Sequence, residues 1–167
     1  MAMYRADPKH GVAWITGGST GLGRALAIEL ACEGYTVVVT AADQAETDSV
    51  LAKAEGLAGR VLALACDVTD QAGMTVLVER IEEEVGPIVL AVFNAGVYQP
   101  IHGEDLDPAI FRRTFEVNFF GVLNGLIPTV SRMQDRGRGQ VVIMGSATSF
   151  LGFPAAGAYG ATAEQHG

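Results

Sequence analysis

Thr16-Gly17-Gly18-Ser19-Thr20-Gly21-Leu22-Gly23 is the stretch on which the reading of this chain turns. Directly before it, Val12–Thr16 is a short apolar run containing β-branched residues, the pattern of a buried strand. Directly after it, Leu22, Leu26 and Leu30 recur every fourth residue, as one face of a helix would, and Gly34 marks the helix end. The unit is therefore strand, glycine turn, helix.

The same alternation continues outward. Thr36–Thr40 and Val61–Ala65 read as the second and third strands, with a helix over residues 44–57 between them. Thr69 or Asp70 can cap a helix that ends before Gly86-Pro87. Ile88–Phe93 reads as the fourth strand. A long helix runs from Pro108 to about Arg136, with Pro128 as a kink or break, and Gln140–Met144 is the fifth strand. Strands alternating with helices imply βαβ units and a parallel sheet. Right-handed crossovers make it an α/β, Rossmann-like doubly wound sheet with helices on both faces. Residues 1–10 are polar and are expected to be a flexible leader to one domain over 11–167.

Composition narrows the partners. Hydrophobic residues make up 49% of the 167-residue chain and charged ones 18%, which suits a sheet buried on both faces. No run approaches the ~20 apolar residues of a membrane span, since Glu29, Glu33, Arg112 and Glu116 interrupt the helical candidates. A net charge of −8 makes nucleic acid a poor partner. Cys32 and Cys66 have neither metal nor disulfide spacing and read as reduced core thiols. With no signal segment, the expected compartment is the cytoplasm. No cluster of His, Cys and carboxylates has ligand spacing, so no metal is expected.

A glycine turn at a strand's carboxyl end that opens a helix is a phosphate cradle. The helix start offers free N–H groups and the positive end of its dipole, and glycines let a pyrophosphate approach the backbone. No Gly-Lys-Ser/Thr follows, which excludes a nucleotide-hydrolysing P-loop.

The spacing Thr16-Gly17-xxx-Gly21-x-Gly23 resembles the turn of the short-chain dehydrogenase/reductase family, and the resemblance extends over roughly residues 11–167. It implies a bound NAD or NADP. The cofactor-binding residues it implies are Gly17, Ser19, Thr20, Gly21, Leu22 and Gly23 in the turn, and Asp67-Val68 at the adenine. Asn94, Ala95 and Gly96 would meet the ribose, and Tyr159 the nicotinamide end. Phe93 stands where the family has a first Asn. At the end of the second strand, Ala41 and Ala42 occupy the positions that separate NAD from NADP. Asp43 is a helix N-cap or a ribose ligand. The absence of a well-placed cation leans toward NAD, although Arg24 can serve a 2′-phosphate.

The family chemistry moves a hydride between the nicotinamide and a carbonyl or secondary-alcohol carbon. The resemblance assigns catalytic roles to Asn118, Ser146 and Tyr159, with Ser146 and Tyr159 at the family spacing of S-x12-Y. A tyrosine has a pKa near 10, so a base at neutral pH needs a nearby cation. In the family this is a lysine four residues later. Here the text reads Tyr159-Gly160-Ala161-Thr162-Ala163, and the only lysines are Lys9 and Lys53. A lysine placed between Thr162 and Ala163 would bring Gly167 into the family register, which points to one lost residue rather than a Lys-to-Ala replacement. The family also implies further C-terminal strands and a lid that this sequence lacks. It further implies a homodimer or homotetramer formed through the long helix (about 108–136) and the helix begun at 158.

The residues therefore support an oxidoreductase acting on a small-molecule carbonyl or alcohol substrate. The apolar stretch Phe150–Ala158 suggests apolar compounds. The alternative is a truncated or catalytically impaired relative that binds dinucleotide as a binding module. Other Rossmann-like enzymes come last, because Ser146 and Tyr159 at this spacing argue against a methyltransferase.

Overall fold

The computed structural model describes residues 4–43, 50–103 and 106–163. The five strands are β1 (Val12–Thr16), β2 (Thr36–Ala41), β3 (Arg60–Ala65), β4 (Ile88–Phe93) and β5 (Gln140–Ile143). They form one sheet in the order β3-β2-β1-β4-β5, and every pairing is parallel. The chain winds outward from β1 to β3, crosses back, and winds outward again from β4 to β5. The order therefore reverses between β1 and β4, where such sheets open a crevice at their carboxyl ends.

Each strand feeds two cores. Along β1, Ala13 and Ile15 face one side of the sheet, and Val12 and Trp14 the other. The first side is covered by α1 (Gly21–Cys32) and by helical residues 50–53, through Ala27, Leu30, Ala31 and Val50. The second is covered by α2 (Gln71–Arg80) and α4 (Gly121–Asp135), through Met74, Leu77, Val78, Val122 and Met133. Trp14, fully buried, anchors this side. Its indole N–H donates to Thr40 Oγ1 at 3.2 Å, and its ring meets Phe93 edge-on with centroids 5.6 Å apart. Gly125 lets α4 close on that pair, because a Cβ there would lie 2.7 Å from the Phe93 ring. Phe93, where the family has Asn, is thus a core residue.

Helix ends are set locally. Gly34, at φ 93°, stops α1: its N–H donates to Ala31 O and the Tyr35 N–H to Leu30 O. Asp70, rather than Thr69, caps α2 by accepting from Gly73 N at 2.9 Å. Asp107 caps α3 (Pro108–Phe115) in the same way. Between α3 and α4 the helix widens into a π segment, Glu116–Phe120, and a second one, Ile81–Val85, ends α2. Pro128 lies inside α4 without ending it. A short α5 (Gly157–Ala163) closes the described chain.

Four expectations need correction. Leu22 is exposed, because the packed face of α1 runs through Gly23, Ala27, Leu30 and Ala31. Cys32 is exposed and Cys66 half-buried, so neither is a core thiol. Residues 4–10 lie against the domain rather than apart from it: the Ala6 N–H donates to Gln140 Oε1, Ala6 packs on the core, and Pro8–His10 forms a 3-10 turn capped by Asp7. The helix over 44–57 is seen at residues 50–53, while 44–49 lie outside the described residues.

The amino end of the sheet is fastened by one ion pair. Arg136 Nη1 meets Glu82 Oε2 at 2.7 Å, and Arg136 Nη2 donates to Ile88 O at 2.6 Å. Glu82 Oε1 accepts from Ile88 N at 2.8 Å. Both side chains are mostly buried, so removing one strands the other. Arg136→Met is expected to cost about 2–3 kcal/mol, read from the urea midpoint. An unchanged midpoint would refute this role.

Candidate functional site

The site begins where β1 ends. The Thr16 hydroxyl accepts the N–H groups of both Asn94 and Ala95 at 3.1 Å. The Asn94 amide donates to Thr16 O at 3.2 Å and to Gly17 O at 2.9 Å. These bonds lace the ends of β1 and β4 across the crevice. Gly17 and Gly21 have φ of 64° and 51°, a region that side chains rarely enter. Gly23 is buried with its α-carbon against the Gly17 carbonyl and the Asn94 amide, so α1 starts hard against the turn.

The start of α1 differs from that of the two Asp-capped helices. Thr20 is its N-cap but makes no side-chain capping bond. Among the described residues no side chain caps its leading N–H groups, which with the positive dipole end can serve a ligand. Together with the glycine turn, this fits a dinucleotide pyrophosphate.

A cleft of about 500 Å³ runs from this turn along the carboxyl ends of the strands. Gly17, Ser19, Thr20, Gly21, Leu22, Asp67, Val68, Asn94, Ala95, Gly96, Asn118, Ser146 and Tyr159 all line it. From β3 to β5 is four strand spacings, roughly 19 Å. Asp67 follows β3 and Ser146 follows β5, so the candidates lie spread across the sheet rather than in one knot. Gly23 is the exception and does not line the cleft. Its lack of a side chain serves close packing of helix on strand, not ligand contact. Arg24 lies outside the lining too. Asp43 is exposed, and the residues that would follow it in a helix lie outside those described.

At the β3 end, Asp67 Oδ1 accepts from the Thr69 N–H at 2.9 Å and its hydroxyl at 2.8 Å. The Thr69 backbone bond is the main reason its carboxyl is held below the usual carboxylate range. The Thr69 hydroxyl and the Arg113 guanidinium add to this against partial burial. Burial, then the charges of Asp70 and Asp67, push the Cys66 thiol up, which makes it a poor nucleophile.

At the β5 end, Ser146 caps the 3-10 turn Ala147–Ser149 by accepting from Thr148 N at 3.3 Å, which leaves its own proton to be donated. Asn118 sits in the π segment and is 7% exposed. Its Oδ1 accepts from Val97 N at 2.8 Å. Its Nδ2 donates to Val97 O at 3.0 Å and to Thr162 Oγ1 at 3.2 Å. The Thr162 hydroxyl in turn donates to Tyr159 O at 2.8 Å. One amide therefore joins the loop after β4, the long helix and α5. Tyr159 and Ala163, one turn apart on α5, line the same cleft. Lys9 precedes β1 at the far end of the sheet, and neither it nor Lys53 lines the cleft. Gly167 lies outside the described residues. Among those described, no group of His, Cys, Asp and Glu is placed to hold a metal, and no helix is long and apolar enough to cross a membrane.

Thr16, Tyr98, Arg113 and Thr162 belong to the site without a sequence signal of their own role. Thr16 stood inside the motif as its first letter. Tyr98 and Arg113 carry no spacing signal.

Residues 11–163 match the family model of the short chain dehydrogenases. An NADP-dependent (R)-specific alcohol dehydrogenase from Lentilactobacillus kefiri is 36% identical over 155 residues, which cover 92% of this chain and 61% of that protein. A 3-oxoacyl-[acyl-carrier-protein] reductase from Thermotoga maritima is 31% identical, over 90% of this chain and 61% of its own. A short-chain dehydrogenase from Streptomyces avermitilis superposes with a TM-score of 0.84 at 31% identity, over 92% of this chain and 56% of its own. The actinorhodin polyketide ketoreductase with NADPH superposes at 0.88 and 26% identity, over 96% of this chain and 62% of its own. The chain thus spans about 61% of the length of these two curated relatives.

Two outcomes are expected. Gly23→Ala should lower stability by about 1–3 kcal/mol, because its methyl must displace backbone; a thermal melt unchanged from wild type would contradict this. Asp67 has a lowered carboxyl pKa, so its ionised form stabilises the fold above the ordinary carboxylate value and loses that effect as pH falls through the lowered one. Asp67→Asn should therefore flatten the acid limb of the stability profile; an unaltered limb would show that the carboxylate contributes nothing.

Proposed function

This chain belongs to the short-chain dehydrogenase family, and from that premise we propose that it serves hydride transfer between NAD(P)(H) and a carbonyl or secondary-alcohol substrate. The observation that supports this is that Ser146, Tyr159 and Asn118 line the same cleft as the glycine turn and a helix start without a side-chain cap. When bound, the nicotinamide supplies or accepts the hydride. The glycine turn and the α1 terminus would hold the pyrophosphate, and Asp67-Val68 the adenine side. Ser146 donates a hydrogen bond to the substrate oxygen. Tyr159 gives that oxygen its proton on reduction and takes it on oxidation. Asn118 fixes the loop and helix between which the substrate oxygen must lie. Ala41 and Ala42 offer no cation to a 2′-phosphate, which favours NAD; the Lentilactobacillus relative is named NADP-dependent, which favours the other, and both cofactors belong in any assay.

Ala163 limits the rate. A cation beside a phenol eases the loss of its proton, and Ala163 supplies none one turn beyond Tyr159. A dinucleotide-binding module without turnover is the second reading, and Ala163 is the residue that favours it.

Cofactor binding and turnover separate the two. NADH or NADPH is expected to bind with a fluorescence change, and turnover to be slow. Ala163→Lys should place an ammonium one turn from Tyr159 and raise kcat by about 10²-fold or more, and Tyr159→Phe should abolish the gain. Inserting Lys between Thr162 and Ala163, which also restores the register of Gly167, should do at least as well. Binding without any gain from either lysine would leave the module and remove the dehydrogenase.

A further inference from the structure

Charge is unevenly spread along the cleft. Among the described residues, the charged side chains that line it are Asp67, just after β3, and Arg113, whose guanidinium charge acts on the Asp67 carboxyl. Around Ser146 and Tyr159 the lining is Val97, Tyr98, Met144 and Gly145, with no charge. A second recess of about 330 Å³ shares Ser146 and Ala163 with the cleft, and Ile143 and Phe150 wall it. It is equally uncharged among the described residues. A carboxylate or phosphate next to the reacting carbon would be desolvated here without a partner.

Tyr98 gives this end its shape. The residue before it is held on both backbone groups by Asn118, so the loop is fixed where Tyr98 leaves it. The Tyr98 ring stands edge-on to Tyr159, with centroids 5.3 Å apart and planes at 71°. It is nevertheless 55% exposed, so part of the ring packs on the catalytic phenol and part stays open to the cleft. A rigid, half-open aromatic surface beside the reacting group favours a flat apolar partner.

We propose that Tyr98 selects the substrate: the open part of its ring receives an aryl or similarly flat apolar group borne by the reacting carbon, in a molecule without charge near that carbon. This rests on the dehydrogenase reading and names the substrate class for it.

The test is a ligand-observed NMR titration of the full chain with acetophenone, 2-butanone and pyruvate, run with saturating NADH or NADPH and again without cofactor. Wild type is expected to bind acetophenone about tenfold more tightly than 2-butanone, and pyruvate more weakly than either. Tyr98→Phe should keep this preference, while Tyr98→Ala and Tyr98→Leu should lose it with dinucleotide affinity unchanged. The side chain is half exposed, so these variants are expected to fold, and their thermal melts check this. No aryl preference in wild type, or a preference that survives both truncations, overturns the proposal. Failure of wild type to bind either dinucleotide sinks the dehydrogenase reading instead, while the titration without cofactor still decides the role of Tyr98.

Discussion

The lacing of Thr16 to Asn94 is the constraint on which the rest depends. At the ends of β1 and β4 the chain leaves in opposite directions, so the sheet ladder stops and backbone groups there lose their partners. Buried backbone polar groups must be paired somewhere. The buried Thr16 hydroxyl accepts two N–H groups from β4's end, and the Asn94 amide serves two carbonyls from β1's end. Without those four bonds the crevice would close or fill with water. With them, the turn that cradles phosphate and the loop that leads to Tyr98 are set from a common point. The packing of Gly23 against Gly17 and Asn94 passes that fixed position on to α1.

Asn118 does the same work at the reactive end, and it does so from an irregular helix. A π segment carries one more residue per turn than the α-helix around it, which turns a side chain out of its expected face. Here the segment Glu116–Phe120 carries Asn118, whose amide reaches Val97 on one side and Thr162 on the other. π segments recur at functional sites for this reason. The buried Thr162 passes the connection to the Tyr159 carbonyl, so α5 is oriented by a chain of hydrogen bonds rather than by apolar packing alone.

The sheet was legible in the sequence because its central strands are buried on both faces. Val12–Thr16 and Ile88–Phe93 are continuous apolar runs, and a run of that length between glycine turns has few other folds. The glycine turn was legible because its backbone demands are chemical. What the sequence hid was direction. Leu22 fits a leucine stripe at helical spacing, yet the face of α1 that meets the sheet is turned toward Gly23, Ala27 and Ala31 and keeps Leu30 but not Leu22, which faces solvent. The docking of Ala6 on Gln140 joins positions that no local pattern relates. The π segments leave no periodic mark, since one inserted residue looks like ordinary phase drift. Tyr98 shows its contact with Tyr159 only once its loop and α5 are both placed.

Ala163 shows how separable binding and proton chemistry are in this architecture. The bonds that tie the ends of β1 and β4, the long helix and α5 together run through Thr16, Asn94, Asn118 and Thr162, and none of these needs a cation. A lysine side chain at position 163 would add electrostatics to a frame already held. Its absence therefore leaves the geometry intact: Ala163 is buried, its carbonyl accepts from the Ser149 hydroxyl at 3.0 Å, and α5 keeps its place. The effect falls on the proton step proposed for Tyr159, to which Ala163 brings no neighbouring cation. A frame kept by hydrogen bonds and a reaction tuned by one charge respond to different substitutions, so the first can persist in a chain where the second is lost.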